Sequence, residues 1–242
     1  MARQLQSTYT GTIGNLTFYK LYNGFYVRSK SSGGTQTEAT KAGQKPFAAA
    51  VTIAAYLRKI AHPAIPYPAS KDMQHRLIKA TLQWLRATPA ATAAAPWPIP
   101  QLEGFQFLPL TPLSQKIAWE IAVVPSVNKG VTITLPAFIP KQTITAPAGT
   151  KKAELCFAWG TYSLREKKIL SLSSQSVQIP YTARERKEQK LLIPVATSKN
   201  VISIIAVSIS YKVRGPGNPA LITIQQKAHK AAAILYAIYG GA

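Results

Sequence analysis

Two runs rich in aromatic residues, Leu16-Thr17-Phe18-Tyr19-Lys20-Leu21-Tyr22 and Phe25-Tyr26-Val27-Arg28-Ser29-Lys30, flank Asn23-Gly24. Asn-Gly best tolerates the positive φ angles of a two-residue hairpin turn. The pattern therefore predicts a β-hairpin in which Tyr22 faces Phe25, Tyr19 faces Arg28 and Thr17 faces Lys30. Strand alternation puts Leu16, Phe18, Tyr22, Phe25 and Val27 on one face and Tyr19, Leu21, Tyr26, Arg28 and Lys30 on the other. The first face reads as core. The second mixes rings with cations, as a stacking or docking surface would.

After a polar break at Ser31-Ser32-Gly33-Gly34-Thr35 the spacing becomes helical. Phe47, Val51, Ala54 or Ala55, and Tyr56 recur at helical intervals up to Ile60, with Pro46 in the first turn and His62-Pro63 as the stop. Ser70 is placed to cap a second helix whose first turn holds Asp72. Its apolar stripe is Met73, Leu77, Ile78, Thr81, Trp84 and Leu85. The opposite stripe, with Arg76, Lys79, Gln83 and Arg86, suits either a solvated face or one that follows phosphates. The alanine- and proline-rich residues that follow read as a semi-rigid linker.

Beyond the linker the period changes to two, in Ile117-Val123, Val131-Leu135, Leu155-Trp159, Val177-Tyr181 and Ile202-Ile204. Shorter runs follow around Ile193, Val207-Tyr211, Ile222-Ile224 and Ile234-Ile238. Short alternating strands separated by turns predict an antiparallel sandwich rather than a parallel sheet. The expected fold class is α+β. A β-hairpin arm and flexible break cover residues 1–43, a two-helix segment 44–87, the linker 88–112 and an Ig-like β-sandwich 113–242.

Charge changes this picture most. The chain has 29 Lys and Arg against 8 Asp and Glu, a formal net charge of +21 over 242 residues. So large an excess repels itself in a compact fold, and an anionic partner is the simplest compensation. Residues 1–86 carry +10, 87–160 only +2 and 161–242 carry +9. With the chain reversing at each connection, one end of the sandwich is expected to form a cationic cap. It would collect Lys129, then Arg165, Lys167 and Lys168, then Arg184, Arg186 and Lys187, then Lys212 and Arg214. The other end would hold mainly Lys141, Lys151, Lys152, Lys199, Lys227 and Lys230.

Little in the sequence suggests catalysis. His62, His75 and His229 lie in separate segments without metal-ligand spacing. Carboxylates sit beside cations, as in Arg165-Glu166-Lys167 and Arg184-Glu185-Arg186, and read as salt-bridged turns rather than acid/base pairs. There is no Gly-x-Ser-x-Gly, phosphate loop or dinucleotide fingerprint. Cys156, alone in an apolar run, reads as a buried or half-buried side chain and excludes an intrachain disulfide. A non-enzymatic protein without cofactor, metal or small-molecule substrate is expected. The absence of an apolar leader or a bilayer-length stretch points to a soluble, cytoplasmic one.

Gly11-Thr12-Ile13-Gly14-Asn15-Leu16 through Tyr19, and on to Gly24-Phe25-Tyr26-Val27-Arg28, resembles the start of a family of small, very basic bacterial proteins of unknown function. Members open with a Gly-x-x-Gly-Asn hairpin ending in a Val-Arg pair, continue with two helices and finish in a β-sandwich. The resemblance implies that order of parts and assigns no activity.

The function expected from these features is weakly sequence-selective binding of a polyanion, first of all DNA or RNA. Candidate contacts are Tyr19, Tyr26, Arg28 and Lys30 on the hairpin, Arg76, Lys79 and Arg86 on the second helix, and the basic loops. Rings beside cations allow base stacking, and cations alone allow phosphate contact. The alternative is a structural subunit of a homo-oligomer, filament or virion-like assembly joined through its N-terminal hairpin arm.

Overall fold

The computed structural model describes residues 3–5, 8–22, 24–30, 33–65, 70–87, 96–126, 130–215 and 220–241. The chain divides into two compact units, Met1–Gln44 and Lys45–Ala242.

In the first unit β1 (Arg3–Leu5), β2 (Thr8–Ile13), β3 (Leu16–Leu21) and β4 (Gly24–Ser29) form a four-stranded antiparallel meander in chain order. The predicted hairpin is there as β3–β4, in a different register. Leu21 pairs with Gly24, Tyr19 with Tyr26 and Thr17 with Arg28, so the loop is Tyr22-Asn23 rather than Asn23-Gly24. Tyr22 takes the left-handed conformation at φ +52°, while Asn23 lies outside the described residues. Gly24 instead lies beneath the Tyr26 ring, which a Cβ there would approach to 2.8 Å and push aside. The slip relative to the predicted pairing is two residues, an even number, so the strand residues keep their predicted faces. What differs is burial. None of the described side chains of this unit is buried, and Leu16, Phe25 and Val27 of the expected core face are 39%, 48% and 54% exposed.

The helix α1 (Glu38–Ala61) begins eight residues before Pro46, which lies inside it. Thr37 caps its start, the hydroxyl accepting from the Thr40 N–H at 3.2 Å. Its buried stripe is Ala50, Ile53, Ala54, Leu57, Ile60 and Ala61, whereas Phe47 and Val51 of the predicted stripe are exposed. The second helix, α2 (Lys71–Ala87), follows the sequence closely. Ser70 accepts from the Met73 N–H at 3.1 Å, and Met73, Leu77, Ala80, Thr81 and Trp84 are buried.

After β5 (Trp97–Pro98) come β6 (Ala122–Ser126), β7 (Gly130–Leu135), the one-turn α3 (Pro140–Thr143), β8 (Thr150–Ser163), β9 (Lys168–Pro180), β10 (Gln189–Pro194), β11 (Val201–Arg214), β12 (Leu221–Thr223) and β13 (Ala231–Tyr239). These make two antiparallel sheets. The larger has the order β5-β13-β11-β8-β9 with β12 also on β11, and the smaller has the order β10-β7-β6. Ile133, Leu135 and Ile193 of the smaller sheet share a core with Leu155, Phe157, Val207 and Ile209 of the larger. The other face of the larger sheet is covered by the helices, where Leu57, Ile60, Leu77 and Trp84 meet Ala158, Tyr162, Ile204 and Ile234. Gly160 permits that approach: a Cβ would sit 3.0 Å from the Ile60 side chain. The two-helix segment is therefore a third layer on the sheet. Of the expected linker, residues 88–95 lie outside the described residues. Its remainder is no tether, since Ile99, Leu102 and Phe107 are buried in the helical core and β5 pairs with β13.

Candidate polyanion interface

The registers decide which basic loops meet. Lys152 near the start of β8 pairs with Pro180 at the end of β9 and with Lys212 near the end of β11. The loop after β9 folds back over this end, the Tyr181 N–H donating to the Lys151 carbonyl at 2.9 Å and the Lys141 N–H to the Thr182 carbonyl at 3.2 Å. Lys141, Lys151, Lys152, Arg184, Arg186, Lys187, Lys212 and Arg214 thus gather at one end of the sheets. Two lysines directly across a strand pair repel. Here the Lys212 ammonium is held by Glu154 at 2.8 Å, while Lys152 donates only to the neutral Gln178 side chain at 3.3 Å.

Arg165, Lys167 and Lys168 do not join this group. The single strand β9 separates their loop from Arg184, Arg186 and Lys187, which places the two loops at opposite ends. The expected cap is thereby corrected. Its second half combines with Lys141, Lys151 and Lys152, assigned by the sequence to the far end, and Lys129 lies outside the described residues. The signal in the sequence was the number of strands between loops. That number was legible: the one alternating run between the two loops, Val177-Tyr181, reverses the chain once and so sets them at opposite ends.

Two candidates serve the fold. Arg76 pairs with Asp72 at 3.0 Å, donates to the Gln106 and Phe107 carbonyls at 2.8 and 3.0 Å and covers the Phe105 ring. Arg186 donates to the Gln178 carbonyl at 2.8 Å and to the Gln189 side chain, and exchanges backbone hydrogen bonds with Phe138. Burial pulls its guanidinium below the usual arginine value. Lys168 is paired with Glu166 at 2.6 Å. Lys79 and Arg86 are both exposed on α2. Setting aside Arg186 and the ion-paired Lys212, six cations remain at the basic end, with Lys141, Lys151, Arg184, Lys187 and Arg214 exposed and Lys152 half-buried. Beside them an open groove of about 530 Å³ is lined by Lys151, Arg214, His229 and Gln226.

On the first unit Tyr19 and Tyr26 stack at 5.9 Å, with the Arg28 guanidinium 5.7 Å from the Tyr19 ring. All three share one face of the β1–β4 sheet, and Lys30 follows β4. This is the ring-and-cation surface that the alternation predicted.

A second cleft of about 450 Å³ lies along Ile117–Ile121 and Ala233–Leu235, with Glu120 as its ionisable side chain. Among the described residues no three His, Cys, Asp or Glu side chains gather as a metal site would require, and no helix is long and apolar enough to cross a membrane. Comparison with known protein families, curated proteins and solved structures finds no match for this chain.

Proposed function

We propose that this protein is a non-enzymatic binder of a polyanion, DNA or RNA first of all, and that it contacts phosphates through the basic end of its sheets. The observation that carries this reading is the gathering of Lys141, Lys151, Lys152, Arg184, Lys187 and Arg214 from four separate elements. Cations so placed repel one another unless a counter-charge lies against them. Among the described residues no recognition helix or base-reading module accompanies them, so binding is weakly sequence-selective. The Tyr19–Tyr26–Arg28 face supplies a separate stacking surface for unpaired bases. In this proposal the facing sheets act as an Ig-like scaffold that holds loops at their ends. The resemblance of residues 11–30 to a basic bacterial family is carried with it.

Fluorescence anisotropy on a 20-base-pair duplex between 50 and 400 mM salt tests the reading. Neutralising about six phosphates gives a log–log slope near −5. Lys151→Glu with Arg214→Glu is expected to reduce that slope by about 2, whereas Arg165→Glu with Lys167→Glu at the opposite end changes it little. A flat salt response, or equal losses in the two pairs, would overturn the assignment.

A further inference from the structure

The β1–β4 sheet presents a physical problem of its own. Its registers put Tyr9, Ile13, Leu16, Phe18, Phe25 and Val27 on one face, interrupted by Gly11 and Lys20. Tyr9 and Phe18 already touch at 6.0 Å, and Lys20 lies 5.5 Å from the Phe25 ring centre. Yet five of these six side chains are between 39% and 54% exposed, and Phe18 is only half-buried. A small sheet gains its stability by covering one hydrophobic face, because backbone pairing alone does not offset the entropy of ordering the strands. An uncovered apolar face of this kind marks a contact surface.

The covering surface has to be apolar, of similar extent and free of clustered cations. Elsewhere among the described residues, large exposed apolar side chains lie no more than two to an element. The surface that matches this face is the same face of another copy. Self-pairing also satisfies the charge condition: in a chain of net charge +21 this face carries Lys20 as its one cation, while Arg28 points to the opposite face with Tyr19 and Tyr26. We infer that the β1–β4 sheet is a self-association module, its Tyr9–Ile13–Leu16–Phe18–Phe25–Val27 face closing on that of a second copy across a two-fold axis. Two such sheets stack about 10 Å apart, with side chains of each inner face interleaved. Strand rise and spacing give a footprint of about 20 Å by 19 Å per copy, small for a permanent interface and in the size class of weak, reversible contacts. The cationic, ring-bearing face stays outward in the pair. The inference does not rest on polyanion binding.

Sedimentation velocity of the full chain, nuclease-treated and in 0.5 M salt so that no bridging polyanion holds copies together, tests it from 1 to 200 µM, a range spanning about micromolar affinities. The mass is expected to double across that range. Phe25→Lys with Val27→Lys should remain monomeric throughout, while the thermal transition of the Lys45–Ala242 unit and the salt slope of nucleic-acid binding stay unchanged. In a Cys156→Ser background, a short bis-maleimide should link copies carrying Phe18→Cys but not those carrying Thr17→Cys, its neighbour on the opposite face. A wild-type monomer at 200 µM overturns the inference. So does a dimer indifferent to the lysine pair, or equal linking from positions 17 and 18.

Discussion

Single side chains in this protein divide sharply between those that hold the fold and those free to meet a partner, and residue type alone does not tell them apart. Arg76 and Arg86 lie on the same α2 stripe, yet Arg76 uses its guanidinium fork on two carbonyls thirty residues away. Removing it by Arg76→Ala should cost about 2 kcal/mol in urea denaturation, the range of hydrogen bonds to a charged donor, and leave nucleic-acid affinity unchanged. Arg76→Lys should not restore that stability, since a lysine cannot span both carbonyls. A loss of affinity without loss of stability would reverse the assignment. Cys156 is a second case. Its half-buried thiol donates to the Pro63 carbonyl at 3.4 Å, and burial pushes its pKa up, with Glu154 adding to the shift and Ser176 opposing it. Thiolate is the reactive form, so a maleimide at pH 7.5 should label native Cys156 at least about tenfold more slowly than the urea-unfolded chain. The lone position and apolar neighbours of Cys156 made this legible in the sequence. The partners of Arg76 were not, because Gln106 and Phe107 follow the Ala-Pro-rich run and show no period of their own that separates them from a linker.

At the scale of elements, legibility followed periodicity. The α2 helix has both a capping serine and an unbroken apolar stripe, and its sequence and structure agree. In α1 the first two turns, Glu38 to Lys45, are polar and lack period, and Pro46 resembles a start signal when it lies inside the helix. The stripe through Phe47 and Val51 is consequently rotated from the buried one, which shares Ala54 and Ile60 with it but runs through Ala50, Ile53 and Leu57. Leu57→Ala should therefore cost about 2–5 kcal/mol by chemical denaturation, as for other buried leucines. Phe47→Ala should stay within about 0.5 kcal/mol, since its ring is 52% exposed. Equal effects would mean that the helix buries a different face in solution. The hairpin shows the complementary lesson. Alternation set its faces correctly, but Gly24 pairs with Leu21 inside the ladder instead of supplying a positive φ to the turn.

Across the whole molecule two electrostatic effects act with opposite trends in pH, and salt separates them. Self-repulsion among 29 basic side chains weakens as pH rises toward the isoelectric point near 10.2, which favours the folded state. Against this, burial raises the pKa of Tyr162, Tyr211, Tyr236 and Tyr239 above the ordinary tyrosine value; the Tyr211 hydroxyl donates to the Thr145 carbonyl at 2.8 Å. Each is an acid that the unfolded chain ionises near pH 10 while the native chain keeps its proton. Their contribution to stability is therefore complete below about pH 10 and is lost as pH climbs through the raised native values. At low salt the urea midpoint should rise from pH 7 toward pH 10 and then fall. At 0.5 M salt the rise should disappear, because screening removes repulsion between exposed charges, whereas the fall should persist, because desolvation of buried phenols is not screened. Absorbance at 295 nm provides the check: of 11 tyrosines Tyr211 should ionise only together with the loss of structure, and Tyr162, Tyr236 and Tyr239 at higher pH than in the unfolded chain. A rise that survives high salt would detach stability from surface charge, and with it the main reason for expecting an anionic partner at the basic end.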